Sequence, residues 1–562
     1  MAGGDLHKME SSLGVLTQYL DGQGDETKPR AADSEAQISD TQNAQLNHLS
    51  GPRLYALLAC LYLGVFCMAI DKTMLAPALG AITTEFGTVK DVGWYTSSYL
   101  LATSSVQCLY GTIYKSFDIK WLYMQSLLVF EVGSLVAALS PTNSVLTLGR
   151  ALSGIGDAGM ASGTYVIMSQ TLPLHKRATC LGLVGAVWGV ASVMGPILGG
   201  TFAEHVTWRW CFWINLPIGS IAFLLVGFFF KGPKKRDVDN KEPSFVSRIL
   251  KLDLIGTSAL VPAVVMLLLA VQWGGTEFPW KSATIIGLFC GSGVLFLVFG
   301  ATQCRAQDEG LLPLQFFKNR DVGCALVYSF FFGASYFSII SYMSLFFQAI
   351  QSTSAVQAGL RLLPLSISAV LSSILSGFLI SALRNYNAII IIESSLFCVG
   401  AGLITTYSST TPMSRWFGFE VVMGLGVGLG FQAGLVVIQN VLPPALISQA
   451  NSNVQFFSTL GGSIGTAAAQ ALFQNGLTEA LARNAPQVSA AAVINTGASQ
   501  LKDTLEGLRL SSTVIEAAID AYMSGLRHAY YWSTAMAICL FLTALGIPWR
   551  RLSKTSHSET KS

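Results

Sequence analysis

Apolar positions in this chain neither alternate nor form stripes; they run on. From residue 54 to residue 548 the sequence divides into stretches of predominantly apolar residues joined by short polar connections. Each stretch is near the roughly 20 residues that a helix needs to cross about 30 Å of hydrocarbon. Spans are predicted near 54–78, 92–114, 122–140, 144–169, 180–202 and 210–230, then near 253–273 and 282–303. Six more follow near 324–350, 358–382, 388–407, 415–441, 451–474 and 527–548. The pattern predicts an all-α integral membrane protein with fourteen transmembrane helices.

Composition agrees with that reading. The 562 residues are 52% hydrophobic and only 12% charged, against roughly 25% charged in soluble domains. The net charge of +3 and the lack of a basic-aromatic pattern give no reason to expect nucleic acid. The ten cysteines show no paired spacing, and Cys60, Cys67, Cys108, Cys211 and Cys398 lie in apolar runs, where they read as small buried hydrophobes. Neither a metal site nor a cofactor is expected.

Polar segments set the boundaries. Residues 1–53 form a disordered tail with eight acids and four bases, and 549–562 a shorter one. An even number of spans puts both tails on one side. Most of the 34 Lys and Arg fall on that side, so the termini are expected in the cytoplasm. The clearest internal loop is 231–252, with seven bases from Lys231 to Lys251. Spans four and twelve carry dense glycine ("GRALSGIGDAGMASG", "MGLGVGLGFQAG"), and spans five and thirteen are similarly rich in small residues. If 54–230 and 324–548 are equivalent six-helix halves, these are the fourth and fifth helices of each. The segments 253–303 and 304–323 then supply two extra helices and a cytoplasmic loop, a 6+2+6 transporter layout. In the long outer loop 475–526, Val514, Ile515, Ala518, Ile519, Tyr522 and Met523 recur at helical spacing and predict an amphipathic helix lying on the outer surface.

Several ordered motifs resemble the fourteen-span drug:proton antiporter branch of the major facilitator superfamily, in its fungal form. They are "DVGWYTSSYLL" (Asp91–Leu101), "GRALSGIG" (Gly149–Gly156), "GAVWGVASVMGPILGG" (Gly185–Gly200), "WRWCFWINLPIG" (Trp208–Gly219), "GLRLLP" (Gly359–Pro364) and "GFQAG" (Gly430–Gly434). The resemblance implies proton-driven, alternating-access export of a drug, toxin or secondary metabolite by a monomer, with the cell surface as the expected membrane and a vesicle or vacuole as the alternative. It assigns Gly185, Gly189, Gly195, Pro196, Gly199 and Gly200 to the packing and gating motif that marks exporters. One departure is "GTIYKSFDIK", where Lys115 and Asp118 replace the Asp and second Gly of the family loop, so that loop's gating role does not carry over.

Charges inside spans are the candidate chemistry, because a buried ionisable group needs a partner, a proton or water. "GVFCMAIDKTMLAPALGAI" (Gly64–Ile82) sets Asp71 beside Lys72, about 26 Å from where span one begins. Adjacent helical residues diverge by about 100°. Asp71 is therefore expected toward the pathway and Lys72 snorkelling to the interface. Arg150 lies at the depth of Asp71, its expected partner. Asp157, two turns on and near the midplane, is either a proton-coupling or substrate-binding carboxylate or a structural hydrogen-bond acceptor. Glu131 reads as packing, Glu393 as meeting water near the end of its span, and Glu420 as a possible cavity acid of the second half. Trp94, Tyr95, Tyr99, Tyr336, Phe346, Gln348, Phe431 and Gln432 are candidates for a cavity suited to a flat, partly apolar molecule.

No G-x-x-x-x-G-K-S/T loop is present, and no H-E-x-x-H, G-x-S-x-G or Cys/His spacing supports an enzyme. The rival to export is proton-coupled import of an iron chelate or other nutrient.

Overall fold

The computed structural model describes residues 51–86, 92–230, 252–275, 278–306, 310–428, 430–490, 493, 501–507 and 511–550. The expected tails 1–50 and 551–562 and the basic loop 231–251 lie outside the described residues. Long helices account for nearly all of the described chain. They are α1 Pro52–Phe86, α2 Val92–Ser116, α3 Ile119–Ala138, α4 Asn143–Thr171, α5 Leu174–His205 and α6 Asn215–Phe229. The pair α7 Leu254–Trp273 and α8 Ala283–Ala306 follows. Then come α9 Arg320–Leu345, α10 Leu363–Leu383, α11 Tyr386–Ile404, α12 Met413–Val427, α13 Gly430–Val441, α14 Pro444–Asn484 and α15 Ser512–Gly546.

Among the described residues, every predicted span coincides largely with helix. Eleven helical segments among the described residues are long and apolar enough to cross a membrane. Helices α2, α4 and α14 are not among them, because polar residues interrupt their apolar runs. Large apolar side chains such as Leu128, Phe228, Leu297, Leu371, Phe378, Val399 and Leu542 point outward, as a lipid-facing belt requires. The protein is an integral, multi-pass membrane protein.

The neighbours of the helices repeat along the chain. In the first series α3 packs on α4, α1 on α5, α2 on α4, α1 on α6 and α3 on α6. In the second, α11 packs on α12, α9 on α14, α10 on α12, α9 on α15 and α11 on α15. Two seams join the series. Along one, α5 lies against α10; along the other, α2 and α4 meet α14. Helix α7 packs on α8 and flanks the second seam, where Ala259, Leu260, Val264 and Leu268 form one cluster with Cys108, Phe456 and Leu460.

The end of the bundle that holds the starts of α1, α5 and α14 is closed. Ser448 Oγ donates to Gly111 O at 2.8 Å, Ser452 Oγ lies 2.9 Å from Ser162 Oγ, and Gln449 Nε2 donates to Gly310 O at 3.0 Å. In the other seam Thr179 Oγ1 lies 2.8 Å from Ser381 Oγ and Ser373 Oγ donates to Gly182 O at 2.7 Å. Lys115 Nζ donates to Gln449 Oε1 at 3.3 Å. Asp118 caps α3 by accepting from Lys120 N and Trp121 N. The altered family loop thus contributes a hydrogen bond between the two series and a helix cap.

The segment between spans thirteen and fourteen differs from expectation. Instead of an amphipathic helix lying on the outer surface, α14 continues to Asn484 and α15 begins already at Ser512. The two extensions pack on each other, with Leu477, Leu481, Ala518 and Tyr522 buried and Tyr522 edge-on to Phe473. The apolar face predicted from Val514 to Met523 is real, but its partner is a second helix. The stretch 494–500 of that segment lies outside the described residues.

Candidate functional site

The site is built on α4, whose glycines let α2 and α3 come close. A methyl group on Gly154 would strike the backbone of Tyr99, and one on Gly156 the backbone of Phe130. This close crossing holds Arg150 and Asp157, seven residues apart and on one stripe of α4, against α1 and α2. Both are buried, at 1% and 2% exposure.

Arg150 reaches Asp71. Its Nη1 donates to Asp71 Oδ2 at 2.5 Å and its Nε to Tyr95 O at 3.0 Å. The guanidinium lies 4.4 Å from the Tyr99 ring centroid and 5.7 Å from that of Phe212. Asp71 Oδ1 accepts from Asn215 Nδ2 at 2.8 Å. Taking two charges out of water costs several kcal/mol per ion, recovered only when the geometry is good and the remaining lone pairs are bonded. Asn215 and Tyr95 O meet that condition. Asn215 stands in the quoted "WINLPIG" run but was not singled out in the sequence, since an isolated Asn has no periodic signature.

Lys72 corrects the expectation from sequence. Its Nζ donates to Asp157 Oδ2 at 2.9 Å and lies 5.2 Å from the centroids of both Tyr99 and Trp188. Thr103 Oγ1 is 3.3 Å from the same carboxylate oxygen. Helical side chains tilt toward the helix N-terminus. That tilt takes a lysine in the second half of α1 back toward the membrane centre, away from the interface. The divergence of Asp71 and Lys72 holds, but with the roles exchanged. Asp71 is buried among α1, α4 and α6, and Lys72 lines the cavity.

That cavity, about 50 Å³, is lined by Lys72, Asp157, Thr103, Gln107, Tyr165 and Trp188 from the first series and by Gln455 and Thr459 of α14. Trp188 stacks on Phe431 of α13 with ring planes 16° apart, and Phe431 meets Phe332 and Tyr336 edge-on at 4.8 and 4.9 Å. Gln432 is buried, with Oε1 turned toward Gly185 and without a hydrogen-bond partner. Tyr99, Tyr336, Phe431 and Gln432 therefore gather where the series meet.

Other expected cavity residues point elsewhere. Trp94 packs edge-on against Trp273 of α7, and Tyr95 hydrogen-bonds Asn143 at 2.5 Å. Phe346 packs on Tyr407 at 4.9 Å, and Gln348 donates to Ser344 Oγ within its own turn. Glu420 is fully buried in the second series and does not line this cavity. Glu393, expected to meet water, is buried and accepts from Ser372 Oγ at 3.1 Å.

The glycines of α5 serve two neighbours. Gly195 and Gly199 leave room for Thr73 and Met74 of α1, while Gly185 and Gly189 leave room for Ser373 and Val370 of α10. Gly200 faces Val356, and Pro196 faces Gly359. The sequence motif is thus the ridge along which α5 bridges the two series.

The MFS-type transporter astH of Aspergillus oryzae is 38% identical over 93% of this chain and 92% of its own length. The aspyridones efflux protein of Neocamarosporium betae is 36% identical over 90% and 89%. The efflux pump aflT of Aspergillus parasiticus is 37% identical over 90% and 98%. Among solved structures, the human organic anion transporter MFSD10 matches with a TM-score of 0.57 at 13% identity, covering 88% of this chain and all of that one. The proton:xylose symporter XylE gives 0.57 at 11%, covering 89% and 97%. At such identities these two establish the fold alone. The model of the Major Facilitator Superfamily matches residues 61–466. This chain belongs to the Major Facilitator Superfamily and is a transporter, not an enzyme.

Proposed function

We propose that the chain is a proton-coupled exporter of an amphipathic small organic molecule, working by alternating access. Residues 54–230 and 324–548 act as the moving halves, 253–303 are linker helices, both termini are cytoplasmic, and the protein works as a monomer in the plasma membrane. The repeated helix neighbours support that division. The observation that carries the reading is the pair of ion pairs, Arg150–Asp71 and Lys72–Asp157, stacked along α4 beside a cavity closed at one end. Protonating Asp71 or Asp157 releases its cation, so a proton changes which contacts hold the helices together. The glycine ridge of α5 and relatives named as efflux pumps favour outward movement.

The test is accumulation of a panel of amphipathic compounds in efflux-deficient yeast expressing the chain, with and without a protonophore. Lower accumulation, abolished by the protonophore, is the expected result. Higher accumulation of a compound would indicate import and contradict the reading.

A further inference from the structure

We propose that the Lys72–Asp157 pair selects weakly acidic planar substrates, taking the acid's proton on Asp157 and its oxyanion on Lys72. This deepens the exporter reading and rests on it. Lys72 and Asp157 are the only charged side chains among the described residues lining the cavity. The neighbouring cation, Arg150, is occupied by Asp71 and Tyr95 O. Lys72 is 23% exposed and its partner 2%, so the ammonium is the member of the pair that an incoming molecule reaches. An ammonium has three donors, of which one goes to Asp157.

The step balances. The substrate O–H bond breaks, its proton forms an O–H bond on Asp157, and the oxyanion accepts from Lys72 Nζ in place of the carboxylate. No net charge enters the site. This avoids the cost of leaving Asp157 buried and ionised without its partner. Thr103 Oγ1 stays beside the acid in either state. The rings that flank Lys72, Tyr99 and Trp188, and the Trp188–Phe431 stack provide a slot for flat rings attached to the acid. At about 50 Å³ the cavity has room for water only, so binding of a multi-ring acid separates Trp188 from Phe431. A permanent cation would meet Lys72 head-on, and an ester has no proton to give.

The test is calorimetry on the purified full-length protein with 2-naphthoic acid, methyl 2-naphthoate and 2-naphthylmethylamine at pH 7, in buffers of different ionisation enthalpy. The acid, ionised in bulk, is expected to bind at least about tenfold tighter than its ester and to take up about one proton on binding. Lys72→Gln with Asp157→Asn, which keeps the site neutral, should retain ester binding while losing both the preference and the proton uptake. An ester or amine that binds as well as the acid, or acid binding without proton uptake, overturns the inference and leaves the exporter reading standing. Failure of the acid to bind also overturns it; the yeast accumulation panel then decides separately whether the exporter reading falls.

Discussion

At the scale of single residues, two carboxylates on neighbouring helices have different tasks because their surroundings differ. Asp71 is held by Arg150 and Asn215 inside the first helix series, whereas Asp157 meets the cavity through Lys72. Removing one member of a buried pair strands the other, at a cost of about 3–5 kcal/mol. Asp71→Asn is therefore expected to lower thermal stability in detergent strongly. Asp71→Asn with Arg150→Met should regain much of that loss, with transport abolished in both. A single variant as stable as the wild type would contradict the arrangement. The Asp71–Arg150 pairing was legible in the sequence because depth along two helices is simple arithmetic at 1.5 Å per residue. Lys72 was not legible, because depth at Cα says nothing of the tilt that carries a long side chain back toward the midplane.

At the scale of elements, the positions of the apolar helices and the glycine spacing were readable, while the helix ends and the face each aromatic presents were not. Trp94 and Tyr95 begin α2 together, yet one meets α7 and the other α4. Only the packing of α7 decides that. The glycines of α5 give a sharper expectation. Gly199→Val places a branched side chain against the Met74 backbone and should abolish transport and reduce yield. Gly287→Ala on α8 meets nothing within 4 Å. It should leave transport unchanged and add stability on the order of 0.5 kcal/mol. Equal effects of the two on yield and uptake would refute the assignment of α5 as the ridge.

The connection between α5 and α6 is fastened at the same scale by Glu85 at the end of α1. Its carboxylate accepts from Arg209 Nη1 at 2.7 Å and Trp208 Nε1 at 2.6 Å. Partial burial alone would push its pKa up, but the bonds from Arg209 and Trp208 hold it below the usual carboxylate range. A depressed folded-state pKa contributes stability that is present above the unfolded value and lost as pH falls through the folded one. The carboxylate is 46% exposed, so solvent screening keeps the contribution small. Wild type should melt slightly above Glu85→Gln at neutral pH, and the difference should vanish below the ordinary carboxylate range. A difference that persisted there would contradict the charge-based account.

At the scale of the whole molecule, the closed end is held by short neutral hydrogen bonds across two seams, with Lys115–Gln449 as the charged contribution. Such contacts exchange readily with water, which suits a gate more than a permanent joint. Thr179→Cys with Ser381→Cys places two sulfurs where the hydroxyls are now 2.8 Å apart. In a background with the ten native cysteines replaced, oxidation should form a cross-link that stops transport, and reduction should restore it. Full activity in the cross-linked protein would mean that these ends do not separate. The all-helical membrane fold was visible in the sequence through its hydrophobic runs. The packed extensions of α14 and α15 were not, because two amphipathic segments separated in sequence reveal their mutual contact only once both helices are placed.

The measurement that bears most directly on proton-coupled export is proton movement itself. The purified protein would be placed in liposomes holding a trapped pH-sensitive dye, and a compound exported in the yeast panel would be added. Wild type should show proton flow opposite to the compound, and Asp71→Asn with Arg150→Met should show none. Compound movement with no proton flow in the wild type would contradict the account.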